Sequence, residues 1–88
     1  MKILVALSDN LARGMLESVL SRWGYDVVLA ENGTQAMARL KEQGGPNLAI
    51  LERRLVGVGG LEICKEIRSK TELPYVYLLL VTGKGQDQ

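Results

Sequence analysis

The sequence contains no histidine and one cysteine, Cys64. That count alone excludes zinc centres of the Cys/His kind. A lone cysteine also leaves no internal disulfide, so a reducing compartment is the default expectation. Charge of either sign is nearly cancelled: 11 basic residues stand against 10 acidic ones, for a net charge of +1. The basic residues are scattered, which removes the electrostatic case for nucleic acid. Long apolar runs are missing as well. The longest, residues 75–81, is far short of the roughly 20 residues that cross a bilayer. The N-terminal run ending at Leu7 is too short for a signal peptide, and Asp9 soon follows. The expectation is a cytoplasmic chain that partners neither nucleic acid nor membrane. Two nucleotide signatures are absent too. No Lys-Ser/Thr follows Gly57, Gly59 and Gly60, so they form no P-loop, and no GxGxxG turn follows the first apolar run.

What is present is ordinary globular composition, 47% hydrophobic and 24% charged over 88 residues, enough for one small domain. The centre of the pattern is Asn47-Leu48-Ala49-Ile50-Leu51-Glu52. Its apolar run is too continuous for a half-exposed strand and reads as a strand buried on both faces of a parallel sheet. Glu52 stands where the chain leaves the carboxyl end of that strand, the edge where open α/β sheets collect ligands.

Residues 3–7 form a similar run. Ser8-Asp9-Asn10 then offers three helix N-caps, with Asp9 as the expected cap. Leu11, Met15, Leu16, Val19, Leu20 and Trp23 recur at helical spacing and are read as core, and Gly24 ends the helix. A short strand, Val27-Val28-Leu29, precedes a helix opened by Asn32-Gly33-Thr34, with Ala36, Met37 and Leu40 inward. Gly44-Gly45-Pro46 breaks that helix. Beyond Glu52, a glycine loop needing unusual backbone angles leads to a third helix marked by Leu61, Ile63, Cys64 and Ile67. Pro74 introduces a last strand over residues 75–81. The order βαβαβαβ demands a parallel α/β sheet with right-handed crossovers.

This pattern resembles the receiver domain of bacterial response regulators. The matching residues are Lys2-Ile3-Leu4-Val5, Arg22-Trp23-Gly24-Tyr25-Asp26-Val27, Ala30-Glu31-Asn32-Gly33, Pro46-Asn47-Leu48-Ala49-Ile50-Leu51, Gly57, Gly60-Leu61, Leu73-Pro74-Tyr75-Val76 and Leu80-Val81-Thr82. The resemblance implies a flavodoxin-like three-layer fold with strand order 2-1-3-4. It also implies a phosphoryl acceptor at the third strand end, Mg²⁺ held by an acidic pair after the first strand, and a switch hydroxyl. Those roles need clustered carboxylates for a hard cation and donors for the phosphoryl oxygens.

Carried over by position, the acceptor falls on Glu52 and the switch hydroxyl on Thr82, while the acidic pair falls on Leu7 and Ser8, with Asp9 one place late. Val56 and Gly59 replace a usual proline and aspartate. The family fold continues with a fourth helix, a fifth strand carrying a lysine, and a fifth helix. The 88 residues stop before them, which implies a truncated receiver. The resulting expectation is a degenerate receiver that works by phosphorylation-independent protein interaction, is not an enzyme and binds no Mg²⁺ or other cofactor. The alternative is a phosphoacceptor using Glu52, or Glu52 as a constitutive phosphomimic. A functional metal site is expected to quench Trp23 on Mg²⁺ addition.

With no fifth strand beside it, the last strand becomes an apolar edge without protecting Lys. The partner expected there is a second copy of the chain, meeting through Tyr75, Tyr77, Leu79, Val81 and the exposed flank of the first helix, by strand pairing or strand exchange. Another signalling protein is the heteromeric alternative.

Overall fold

A computed structural model describes residues 1–70 and 76–81. The element order is β1 (Lys2–Ala6), α1 (Asn10–Arg22), β2 (Asp26–Ala30), α2 (Gly33–Lys41), β3 (Leu48–Glu52), α3 (Gly60–Ser69) and β4 (Tyr77–Val81). The four strands form one sheet of order β2-β1-β3-β4, parallel at each pairing. The parallel α/β class is that expected from the alternation of patterns, and the strand order is that implied by the family resemblance.

The first two helices begin where a side chain relieves their unpaired amides, whereas α3 starts at Gly59 without a side-chain cap. Asp9 accepts the Ala12 N–H at 2.7 Å and caps α1. Asn32 accepts the Gln35 N–H at 2.8 Å and caps α2, while the Gln35 side chain accepts the Glu31 N–H at 3.0 Å. The end of α1 is closed by Gly24 at φ +93°. Its N–H donates to the Ser21 carbonyl, and that of Tyr25 to the Leu20 carbonyl. This is a Schellman closure, with Tyr25 and Leu20 packed in the same apolar cluster.

Two apolar layers flank the sheet. Leu4, Ala6, Ala49 and Leu51 face α2 and α3, packing with Ala36, Leu40, Ile63 and Ile67. Ile3 and Val5 face α1 and pack with Leu20. Burying a side chain such as Leu4 or Leu51 contributes roughly 1.5–3 kcal/mol. Across the helix surfaces, Lys41 and Lys70 both reach the Glu66 carboxylate, at 3.2 and 3.4 Å. The Lys41 hydrogen bond foremost, then that from Lys70, holds the Glu66 carboxyl below its ordinary value. The group is exposed, so the tie adds little stability.

Three sequence expectations are corrected. Trp23 is not core: it is 72% exposed, as are Leu11 (71%) and Met15 (61%) to similar extents. At 3.6 residues per turn, Leu11 and Met15 lie roughly 140–180° around the helix from Leu20. The apolar positions of α1 therefore span more than the one stripe that meets the sheet. Nor is β3 buried on both faces. Ala49 and Leu51 are buried, but Leu48 and Ile50 are only half-buried, because α1 lies over β1 and β2 and stops short of β3. Finally, the last strand begins at Tyr77 rather than residue 75, and Tyr75 lies outside the described residues.

One contact sets how the third crossover packs. The N–H of Gly33, the first residue of α2, donates to the Val56 carbonyl at 2.8 Å. A Cβ at Gly33 would lie 1.8 Å from the Val58 carbonyl oxygen. The loop after β3 therefore rests directly on the helix backbone. In contrast, a Cβ at Gly14, within α1, meets nothing within 4 Å. In urea denaturation, Gly33→Ala is expected to destabilise by about 2 kcal/mol or more through overpacking, whereas Gly14→Ala stabilises by roughly 0.5–1 kcal/mol through helix propensity. Equal and opposite signs are not required, but similar effects at the two positions would refute the close approach.

Candidate functional site

The carboxyl ends of β1 and β3 lie side by side at the centre of the sheet, because Ala6 pairs with Leu51. The next residues along each chain are Leu7 and Ser8 on one side and Glu52 on the other. Glu52 also pairs with Val81 of β4. Positions far apart in sequence thus converge on one edge.

The Glu52 side chain crosses toward β1. Its Oε1 accepts both the backbone N–H and the hydroxyl of Ser8, each at 2.9 Å. Ser8 is exposed and Glu52 half-buried. Two donors on one carboxylate oxygen form a charge-assisted pair, stronger than neutral hydrogen bonds. The turn that carries Ser8 is braced from below. Arg13 donates to the Leu7 carbonyl and to the Asn10 side chain, and Asp9 caps α1.

Leu7 takes no part in this polar contact. It is half-buried and packs with the α1-side cluster. With Ala12, Met15, Leu16 and Val19 it lines an apolar groove of about 410 Å³ along α1. Asp9 keeps its carboxylate at the helix start, the role expected from the cap pattern. The structure therefore unites Glu52 with Ser8, leaves Asp9 on α1, and turns Leu7 to the apolar side. Thr82 lies outside the described residues. Arg53 and Arg54 are exposed.

The loop after Glu52 uses its glycines for different ends. Only Gly57 has the positive φ, +91°, expected of such a loop. Gly59 has φ −70° at the start of α3. Gly60 is needed for space: a Cβ there would come within 2.6 Å of both the Glu52 carbonyl oxygen and Leu80. Its N–H donates to the Arg53 carbonyl at 2.9 Å. This loop pins the backbone of Glu52 and so limits where its side chain can start.

These donors do not fit the Mg²⁺ that the resemblance implies at this edge. An octahedral hard cation takes oxygen ligands, usually with clustered carboxylates. Here one carboxylate is engaged by Ser8 and another caps a helix. Among the described residues, no group of three or more His, Cys, Asp or Glu side chains is placed to hold a metal ion. Trp23 is also a poor reporter of this edge, since it caps the opposite end of α1. Cys64 is half-buried within α3, and burial raises its thiol above the ordinary value, against a smaller lowering by Arg68. That is the profile of a packed thiol rather than a nucleophile. Among the described residues, no helix is long and apolar enough to cross a membrane.

The one functional feature that sequence reasoning missed is the Ser8 hydroxyl as a partner of Glu52. Position 8 stood out as a substituted acidic position, but its pairing with a residue 44 positions away depends on sheet register and side-chain reach.

Known proteins are similar to this chain in sequence and fold. AfsQ1, a transcriptional regulatory protein of Streptomyces coelicolor, is 34% identical over 85 residues, covering 97% of this chain and 36% of its own length. The probable transcriptional regulator ycf27 of Porphyridium aerugineum is 35% identical over 77 residues, covering 88% of this chain and 32% of its own. The chain thus spans about a third of the length of these curated relatives. Among solved structures, the response regulator TrrA of Thermotoga maritima, in complex with Mg²⁺-BeF, superposes with a TM-score of 0.82 at 31% identity, covering 96% of this chain and 70% of that one. The Response regulator receiver domain family itself matches residues 3–88. With the 2-1-3-4 parallel sheet and the converging strand ends, this places the chain in the response regulator receiver domain family of two-component signalling.

Proposed function

We propose that this receiver domain is a pseudo-receiver, acting by protein interaction that does not depend on phosphoryl transfer. The observation that carries the reading is the double donation from Ser8 to the Glu52 carboxylate. A receiver's nucleophile must present a free carboxylate oxygen to the phosphodonor beside a bound cation. Glu52 is one methylene longer than the family's aspartate, and one of its oxygens is taken up by the turn where the cation's ligands belong. The competing phosphoacceptor reading requires acidic residues at positions 7 and 8, which are Leu7 and Ser8. On this reading the domain is not an enzyme and takes no Mg²⁺ or other cofactor. The lone half-buried cysteine and the balanced charge suit a cytoplasmic setting without nucleic acid as a partner.

The interaction surface of this reading is β4. Among the described residues, β4 pairs with β3 on one side, and its α1-side residues Tyr77, Leu79 and Val81 are exposed. Covering such side chains contributes roughly 1.5–3 kcal/mol each. A second copy of the chain, pairing strand to strand about a twofold axis, gives both edge and face a partner. Exchange of strands is a second route to that burial, and another signalling protein is the heteromeric form.

Incubation with acetyl phosphate and Mg²⁺, followed by intact mass, is expected to leave the chain unlabelled. The combined change Leu7→Asp, Ser8→Asp and Glu52→Asp is expected to restore labelling in part, since the supporting glycine loop is kept. Labelling of the unaltered chain at Glu52 would contradict the reading. For the surface, light scattering is expected to give a dimer that Leu79→Lys weakens and Leu7→Asp leaves intact. A folded monomer at tens of micromolar would refute self-association.

A further inference from the structure

We propose that Ser8 and Glu52 form a latch that fixes the site in one state and directs the Glu52 charge onto the β1–α1 turn, not onto β4. This deepens the pseudo-receiver reading and rests on it. It makes Ser8 the positioning residue of the site.

The argument begins with the sheet order. β1 and β4 flank β3 on opposite sides. Strands lie about 4.8 Å apart, so the ends of β1 and β4 are separated by roughly 10 Å. A carboxylate bonded to Ser8, in the turn after β1, has turned away from β4 and does not serve both. Glu52 makes that choice with two hydrogen bonds to a single residue, one from a backbone N–H that cannot rotate away. The backbone on each side is also held. The turn carrying Ser8 is braced by the Arg13 and Asp9 contacts. The backbone of Glu52 is held by Gly60, which leaves no room for a Cβ, and by the pairing of Glu52 with Val81.

Length matters here. The extra methylene of Glu, relative to Asp, carries the oxygen across to the neighbouring strand's turn. The hydroxyl and amide of Ser8 then occupy the electrostatic role of a cation: they bridge the two strand ends through a negatively charged oxygen. A constitutive phosphomimic would instead aim its charge at the end of β4. The latch predicts that Glu52 acts as an internal tie between β1 and β3.

Amide hydrogen exchange of the labelled full chain, followed by NMR, tests this without Mg²⁺ or phosphodonor. Its failure is therefore separate from failure of the phosphorylation reading. The Ser8 amide is expected to be protected, and Glu52→Ala is expected to speed its exchange by about tenfold, the scale of a lost hydrogen bond to a charged group. Glu52→Gln keeps the Oε1 acceptor and is expected to retain most of the protection. Glu52→Asp is too short and is expected to resemble Glu52→Ala. The amides of the β1–β3 ladder serve as the control for global stability, and they are expected to hold steady. A second readout is the Glu52 carboxyl carbon shift, which should move in Ser8→Ala and return in Ser8→Thr. Equal Ser8 exchange in the unaltered chain and Glu52→Ala, or a Glu52 shift indifferent to Ser8→Ala, would overturn the latch.

Discussion

The register of β1 against β3, with Ile3 beside Leu48 through to Ala6 beside Leu51, is the constraint on which the rest of the molecule depends. It is parallel, so it needs a long crossover between the strands, and β2 with its two flanking helices supplies it. It brings both strands to the same edge, so that the residues just after them meet. It also sets the two apolar layers, because alternate residues of the same strands face α1 on one side and α2 and α3 on the other. A one-residue slip would exchange those faces and separate Ser8 from Glu52 together. Stability and site geometry therefore rest on the same set of backbone contacts.

Most of the fold was legible because its signals are local. The caps Asp9 and Asn32 and the closing Gly24 each act within a few residues of their own position. The strand patterns gave the parallel sheet because continuous apolar runs separated by amphipathic segments leave few other solutions. What escaped was decided by tertiary placement. The breadth of the α1 stripe made Trp23, Leu11 and Met15 look buried, but a helix has only one side toward a sheet. The half-burial of Leu48 and Ile50 depends on how far α1 reaches, which their own sequence does not encode. The glycine loop looked uniform, yet one glycine is present for its backbone angle and another for space.

The site was legible as a set of positions and illegible as a contact. Resemblance to the receiver family put Glu52, Leu7 and Ser8 at one edge and marked each as a departure. Read singly, these departures suggest loss. In the structure two of them are complementary: a longer carboxylate meets a hydroxyl and an amide where clustered carboxylates would repel each other without a cation. Leu7 meanwhile joins the apolar side of α1. The hydrogen-bonded pair and the apolar contact are mutually compatible within one short turn.

The central proposal is that this edge holds an internal hydrogen-bonded pair where the family resemblance would place a cation. The most direct measurement is a two-dimensional NMR titration of the chain with Mg²⁺ and then beryllofluoride, following the amides of Ser8, Asp9, Glu52 and Arg53. The account predicts that these resonances stay in place beyond the small uniform changes of ionic strength. Saturable shifts centred on Ser8 and Glu52 would contradict it.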